Sequence, residues 1–476
     1  MTTTARLLAI ISIVATLLTT SFSFAQETVD LDTSWESDDI VIRLSTESQL
    51  EPIYLHIIFD ELSGLSSGYV DQLAEVLKFD LNNNGKTQTL PDTNDRKALA
   101  HLESFDKPFD TSLWKDLGTR YVVRAIIRDK KLSAKTLFVK NNTSKLVKDV
   151  PLTGNIDNDR RSIHNVADII HKIFFSTEGI ASTRILYSMR SKDSQNESFK
   201  WTSEIWECDN DGANKQQLTH LQGYAITPIY VPPKSGHPSG SFFFVSYLVG
   251  EPKIFTASLR DGVGHRFSYL RGNQLMPTIT LQRDKIAFIS DVTGNADLFL
   301  QDFNPDTGPI GKPYQIFAAR RGTQASPTFS SDGKRIAFVS NKDGSPRIYV
   351  MDVPRPGMKL KDISTTLISK ENHENTCPAW SPDNTKIAYS AKTNGVRQIW
   401  VYNFNTEQET QLTQGPSHKE NPSWAPNSHH LIFNSSTPFS SELYIVNMNQ
   451  LKSVKITSGN GEKRFPSWEP ILKENV

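Results

Sequence analysis

Two periodicities divide the chain. Between residues 40 and 180, apolar β-branched runs at Ile40 to Leu44, Ile53 to Phe59, Tyr121 to Ile127 and Leu132 to Val139 read as strands. Between them, Val70, Leu73, Ala74, Leu77 and Leu81 recur at helical spacing, as do Ile163, Val166, Ile169, Ile170 and Ile173. This predicts a small sheet with helices laid against it, and the polar stretch Asn82 to Asp95 reads as a loop. Beyond residue 180 the helical period stops and only short strands separated by turn residues are predicted.

Those strands repeat. Asn273-Gln-Leu-Met-Pro277 precedes Lys285 to Ser290, Thr323-Gln-Ala-Ser-Pro327 precedes Arg335 to Ser340, Glu374-Asn-Thr-Cys-Pro378 precedes Lys386 to Ser390, and Glu420-Asn-Pro422 precedes Leu431 to Ser435. Partial copies open at Tyr224 and Arg464. The anchor prolines 228, 277, 327, 378, 422 and 466 are 49, 50, 51, 44 and 44 residues apart, a propeller period with a short strand expected after each proline. Residues 181 to 220 hold three strands of a blade but no proline strand, and Phe465 to Pro470 repeats only that missing phrase. The expected architecture is an α/β N-terminal domain followed by an all-β six-bladed propeller closed by the C-terminal strand.

The first 25 residues have a different character. Arg6, the apolar run Leu7 to Leu18 and Ser23-Phe-Ala25 read as a signal peptide cleaved between Ala25 and Gln26. Residues 26 to 39 lack Lys and Arg and carry Glu27, Asp30, Asp32, Glu36, Asp38 and Asp39 with Trp35, an acidic arm that is either a recognition strand or a solvated leader. The expected organisation is therefore 1–25 signal peptide, 26–39 arm, 40–180 α/β domain and 181–476 propeller, in an exported compartment.

Composition narrows the function. Lys+Arg and Asp+Glu are equal at 52 each, which lacks the footprint of a general nucleic-acid binder. Residues 26–180 carry 25 acidic and 19 basic side chains, residues 181–476 carry 27 and 32, so the two parts suit different partners. Cys208 and Cys377 fall on different predicted blades and are expected to stay unpaired.

Candidate chemistry is sparse. Gly64-Leu-Ser66-Ser-Gly68 matches a nucleophile-elbow pattern, but the wide hydrolase sheet that an elbow requires does not follow, and Ser66 reads as part of a loop at a helix start. His164 and His171 lie two helical turns apart, too far to share a zinc ion by themselves, and read as a solvated or half-buried pair. Asp209-Asn-Asp-Gly212 imitates a calcium loop, yet His220 stands where the twelfth-position Glu belongs, so a hairpin turn is expected. No catalytic set, metal site or cofactor is expected. Residues just before the anchor prolines should converge at the channel mouth as polar docking groups, among them Asn273, Gln274, Thr323, Gln324, His373, Glu374, His418, Lys419, Lys463 and Arg464.

Cleaved leader, acidic arm, α/β module and propeller, with Thr183-Arg-Ile-Leu-Tyr187, Cys208-Asp-Asn-Asp-Gly212 and Phe465-Pro-Ser-Trp-Glu-Pro470, together resemble the TolB family of the Tol-Pal envelope system. The resemblance implies a non-enzymatic periplasmic connector serving outer-membrane integrity and cell division. It implies a Pal-like peptidoglycan-associated lipoprotein docked at the channel mouth on Asn273, Gln274, Met276, Thr323, Gln324, Ala325, Glu374 and Asn375. It also implies a TolA-like inner-membrane protein engaged by the arm through Glu27, Asp30, Asp32, Trp35 and Glu36. The sequence departs from the family phrase at Tyr230-Val-Pro-Pro and Ile279-Thr-Leu. The competing readings are a hydrolase or peptidase accessory propeller, which needs a missing hydrolase domain, and a carbohydrate-binding propeller. The latter would need exposed aromatics, whereas Trp380, Trp424 and Trp468 read as inter-blade core.

Overall fold

The computed structural model describes residues 50–192, 201–234 and 239–471. In the α/β region, strands β1 (Glu51–Ile58), β2 (Thr87–Thr89), β3 (Tyr121–Arg128), β4 (Lys131–Phe138) and β5 (Thr143–Pro151) form one sheet of order β2-β1-β3-β4-β5. The first three are parallel and the rest antiparallel. Helices α1 (Ser67–Asn82) and α4 (Ile156–Phe175) cover one face, where Leu73, Leu77, Ile163 and Ile170 pack on Ile53, Val123 and Ile127. The opposite face takes α2 (Asn94–Leu102) and α3 (Thr111–Asp116), with Leu99 and Trp114 on Tyr54 and Val122.

The stretch read as a loop, Asn82 to Asp95, instead contains β2 and the start of α2. Its asparagines supply the missing order: Asn82 Oδ1 accepts from Thr89 N at 2.8 Å, and Asn84 Oδ1 accepts from Lys86 N and Thr87 N. Side-chain acceptors thus hold a polar edge strand that no apolar period announces. His164 and His171, expected solvated or half-buried, are both buried on α4, because that helix is covered by the sheet on one side and by α1 and the propeller on others.

The remaining strands make six four-stranded antiparallel sheets. Their innermost strands are Ala225–Tyr230, Gln274–Ile279, Gln324–Phe329, Asn375–Trp380, His418–Trp424 and Glu462–Trp468. Each anchor proline lies inside its strand, not ahead of it. The residue before it takes a left-handed conformation, with φ between 46° and 55° at Thr227, Met276, Ser326, Cys377, Asn421 and Phe465. Ladder register slips at every one of these points. A bulge leaves residues out of the ladder, so a proline without an N–H fits there at no cost in hydrogen bonds.

Closure of the ring departs from expectation. Glu462–Trp468 is the innermost strand of the blade that holds Arg184–Lys192, and it pairs with that strand alone. Among the described residues it runs no ladder to a neighbouring blade, so the ring is not closed by a strand. Its seams are side-chain packing between stacked sheets: Ala425, Ile432 and Leu443 of one blade meet Ile185, Tyr187 and Trp468 of the next. Trp468 N also donates to Ser423 Oγ at 3.0 Å. The reason is geometric, since blades meet face to face and direct their ladder groups within their own sheets. The propeller region also carries a short 3-10 turn at Leu360–Asp362.

The α/β region rests on the end of the propeller where the innermost strands finish. Arg160 Nε donates to Asp211 Oδ2 at 2.8 Å and Asn214 Nδ2 to the Asp157 carbonyl at 2.9 Å. The strands start at the other end, which this region leaves open.

Candidate functional site

Six blades bring their bulges to one axis. The bulge residue, the proline and the residue after it from every blade line a channel of about 200 Å³. Met276 is among the docking positions that the resemblance implies; Thr227, Ser326, Cys377, Asn421 and Phe465 are not, although each stands immediately before an anchor proline. Polar groups in the channel bind one another: Cys377 Sγ donates to Asn421 Oδ1 at 3.1 Å and Asn421 Nδ2 donates to Asn434 Oδ1 at 2.8 Å. Burial pushes the Cys377 thiol up to about 11, so it is a protonated, weakly reactive group. Both cysteines are free.

The residues expected at the mouth separate into two groups by burial. Asn273, Met276, Thr323, His373, Glu374, His418 and Arg464 retain solvent exposure. Gln274, Gln324, Ala325, Asn375, Lys419 and Lys463 are buried within the blades. Gln274 Nε2 donates to Ser268 Oγ and the Leu270 carbonyl, and Asn375 Nδ2 to the Asn372 carbonyl. Lys463 is paired with Glu442 at 3.2 Å, and Lys419 donates to the Ser417 carbonyl at 2.8 Å. Desolvation lowers the pKa of both lysines. These groups hold blade geometry.

The exposed set is a mosaic of both signs. Glu374 pairs with Lys392 at 3.1 Å, with both side chains 44 % exposed. Arg190 grips both oxygens of Glu462 at 2.7 and 2.8 Å, and Arg464 reaches the same carboxylate at 3.1 Å. Beneath this set the buried Arg397 pairs with the buried Glu420 at 3.3 Å, and its backbone N–H donates to His418 Nδ1 at 3.2 Å. Burial, then Arg397, lowers the His418 pKa, keeping that imidazole neutral. Asn273 donates to Asp291 through both its backbone and its amide. The solvent-facing pairs can exchange partners with an incoming protein surface, and none is arranged as nucleophile and base.

Two other sequence features find structural places. Ser66 caps α1, its Oγ accepting from Tyr69 N at 3.3 Å. Trp380, Trp424 and Trp468 are buried between blades, Trp424 Nε1 donating to the Ala379 carbonyl and Trp468 Nε1 to Thr183 Oγ1. They offer no face for stacking a sugar. The arm residues Glu27, Asp30, Asp32, Trp35 and Glu36, the junction Ala25–Gln26 and the strand expected at 40–44 lie outside the described residues.

A rigid ring of paired polar side chains around a narrow proline-lined channel, carried with a small α/β region, defines a propeller-type binding scaffold. The family model described as TolB beta propeller domain matches residues 173–472. The chain is 50% identical over 388 residues to a Protein TolB homolog of Protochlamydia amoebophila, covering 82% of each chain, and 36% identical over 342 residues to one of Chlamydia pneumoniae, covering 69% and 77%. Its fold is similar to that of TolB from Acinetobacter baumannii, with a TM-score of 0.67 at 20% identity over 89% of this chain and 97% of that one. The chain belongs to the TolB family. It is accordingly a non-catalytic periplasmic scaffold of the Tol-Pal system, and this homology implies Pal-like and TolA-like partners.

Proposed function

We propose that the open mouth of the channel docks a Pal-like peptidoglycan-associated lipoprotein, and that the acidic arm at 26–39 engages a TolA-like inner-membrane protein. The first assignment is supported by the position of Asn273, Thr323, His373, Glu374, His418 and Arg464 at or near the starts of the innermost strands, the channel end away from the α/β region, with Met276 lining the channel itself. The innermost strands carry these groups or begin within two residues of them, which lowers the ordering cost of binding a protein surface. The arm assignment rests on its run of acidic residues beside Trp35, suited to a basic partner. The rest of the chain then couples an outer-membrane-facing site to an inner-membrane-facing one.

The test is calorimetry of the mature protein against the Pal-like lipoprotein encoded by the same organism. Glu374→Lys, which reverses charge at an exposed mouth position, should weaken binding by about 1 to 2 kcal/mol without loss of melting temperature. Deleting residues 26–39 should leave that affinity in place and abolish TolA-like binding. Unchanged lipoprotein affinity in Glu374→Lys, repeated with Arg464→Glu, would move the docking site away from the mouth.

A further inference from the structure

The contact between the α/β region and the propeller brings a histidine of one region against two carboxylates of the other, three potential metal ligands. His164 of α4 faces Asp209, the last residue of strand Trp201–Asp209, and Asp211 of the turn that follows it, and one ligand atom from each lies within 4.8 Å of the other two. His164 is 1% exposed and Asp209 is also buried. The imidazole is held from behind: His164 Nδ1 lies 2.7 Å from Asp80 Oδ2, a buried carboxylate of α1. An ionised carboxylate only accepts, so Nδ1 carries the hydrogen and Nε2 is left as a lone pair. That Nε2 has no hydrogen-bond partner, and it lies 3.6 Å from Asp211 Oδ2. A buried lone pair facing two carboxylates is repulsive unless a cation stands between them.

We propose that His164, Asp209 and Asp211 form a divalent cation site between the α/β region and the propeller, with Asp80 as the outer carboxylate that orients the imidazole. A carboxylate behind a ligating histidine fixes its tautomer and raises its basicity, which is the role Asp80 is placed to fill. One imidazole nitrogen with two carboxylates suits Zn²⁺ in preference to Ca²⁺ or Mg²⁺, which favour all-oxygen sets, and leaves a position for water. The turn bearing both aspartates is fixed by Gly212, where an added Cβ would fall 1.8 Å from the Ile456 carbonyl oxygen. Arg160 and Arg161 approach the same carboxylates, at 2.8 and 3.6 Å, and place the metal in competition with guanidinium for Asp211 and Asp209. The alternative occupant of the space is a proton on Nε2, giving a buried imidazolium.

Isothermal titration of the chelator-stripped mature protein with Zn²⁺ distinguishes the two. One equivalent should bind, His164→Gln should weaken it at least 100-fold, and Asp80→Asn should weaken it about 10- to 100-fold. Asp209→Asn provides a second ligand variant should His164→Gln fail to fold, with folding monitored by circular dichroism. X-ray absorption of the loaded protein should show a single imidazole among oxygen ligands. Absence of saturable binding, or binding that survives both ligand substitutions in folded protein, overturns the site and leaves the imidazolium.

Discussion

Gly85 faces the imidazole of His430 across the contact between the α/β region and the propeller: a Cβ at Gly85 would lie 2.8 Å from His430 Cε1. Gly85 also has φ +80°, in the left-handed region that a side chain resists. His430 cannot swing aside, being buried with its Nδ1 accepting from Asn427 Nδ2 at 3.0 Å. Gly85→Ala therefore meets strain and overlap at once. It should cost about 1 to 3 kcal/mol, read as a lowered melting temperature. A wild-type melt would mean that the two regions are loosely apposed there.

The same histidine makes stability depend on pH. Burial, then the neighbouring His429, lowers the His430 pKa from 6.5 to about 3, while burial lowers His56 and His171 to about 4. A depressed imidazole pKa means that the unfolded chain binds more protons below 6.5, so stability present above that pH is lost as pH falls toward the folded values. The slope is at most about 1.4 kcal/mol per pH unit for each fully buried site. Denaturant melts at pH 7.5, 6 and 5 should show this fall, and His430→Asn should flatten it. An unchanged slope in that variant would assign the acid sensitivity elsewhere.

Ser66 turns from a sequence curiosity into a structural residue. Its hydroxyl caps α1, the helix that carries Asp80 and packs on α4. Ser66→Ala should lower stability by about 1 kcal/mol, the ordinary value of an N-cap, whereas Ser66→Asp should restore it by the same hydrogen bond and a favourable charge at the helix start. Equal melting of Ser66→Ala and wild type would show that the cap is replaced by solvent.

These examples mark what the sequence discloses. Proline spacing and the Lys-Ile-Ala strands announce the blades because every blade must bury the same faces, and the long helical period of Ile163 to Ile173 announces α4. Helices α2 and α3 escape because they are short and are fixed by the caps Thr93 and Asp110 more than by an apolar stripe. Mouth residues are only half legible: proximity to a proline gives the right end of the strand but not the side, and the bulge reverses alternation at that point. The Asp80, His164 and Asp211 cluster is illegible because Asp80 reaches His164 only through the packing of α1 on α4, and Asp211 joins them only when the two regions dock.

Bulge and alternation together predict opposite behaviour for two lysine and glutamate exchanges at the mouth. Lys419 is buried with its ammonium on the Ser417 carbonyl, so Lys419→Glu sets a carboxylate against an acceptor in a desolvated place. It should destabilise by at least about 2 kcal/mol and depress melting before it affects any partner. Glu374 is 44 % exposed, and Glu374→Lys places a second ammonium near Lys392 where solvent screens the repulsion. Its melting temperature should stay close to wild type. Comparable destabilisation by the two exchanges would show that Glu374 is a structural residue of the strand and would remove it from the docking set.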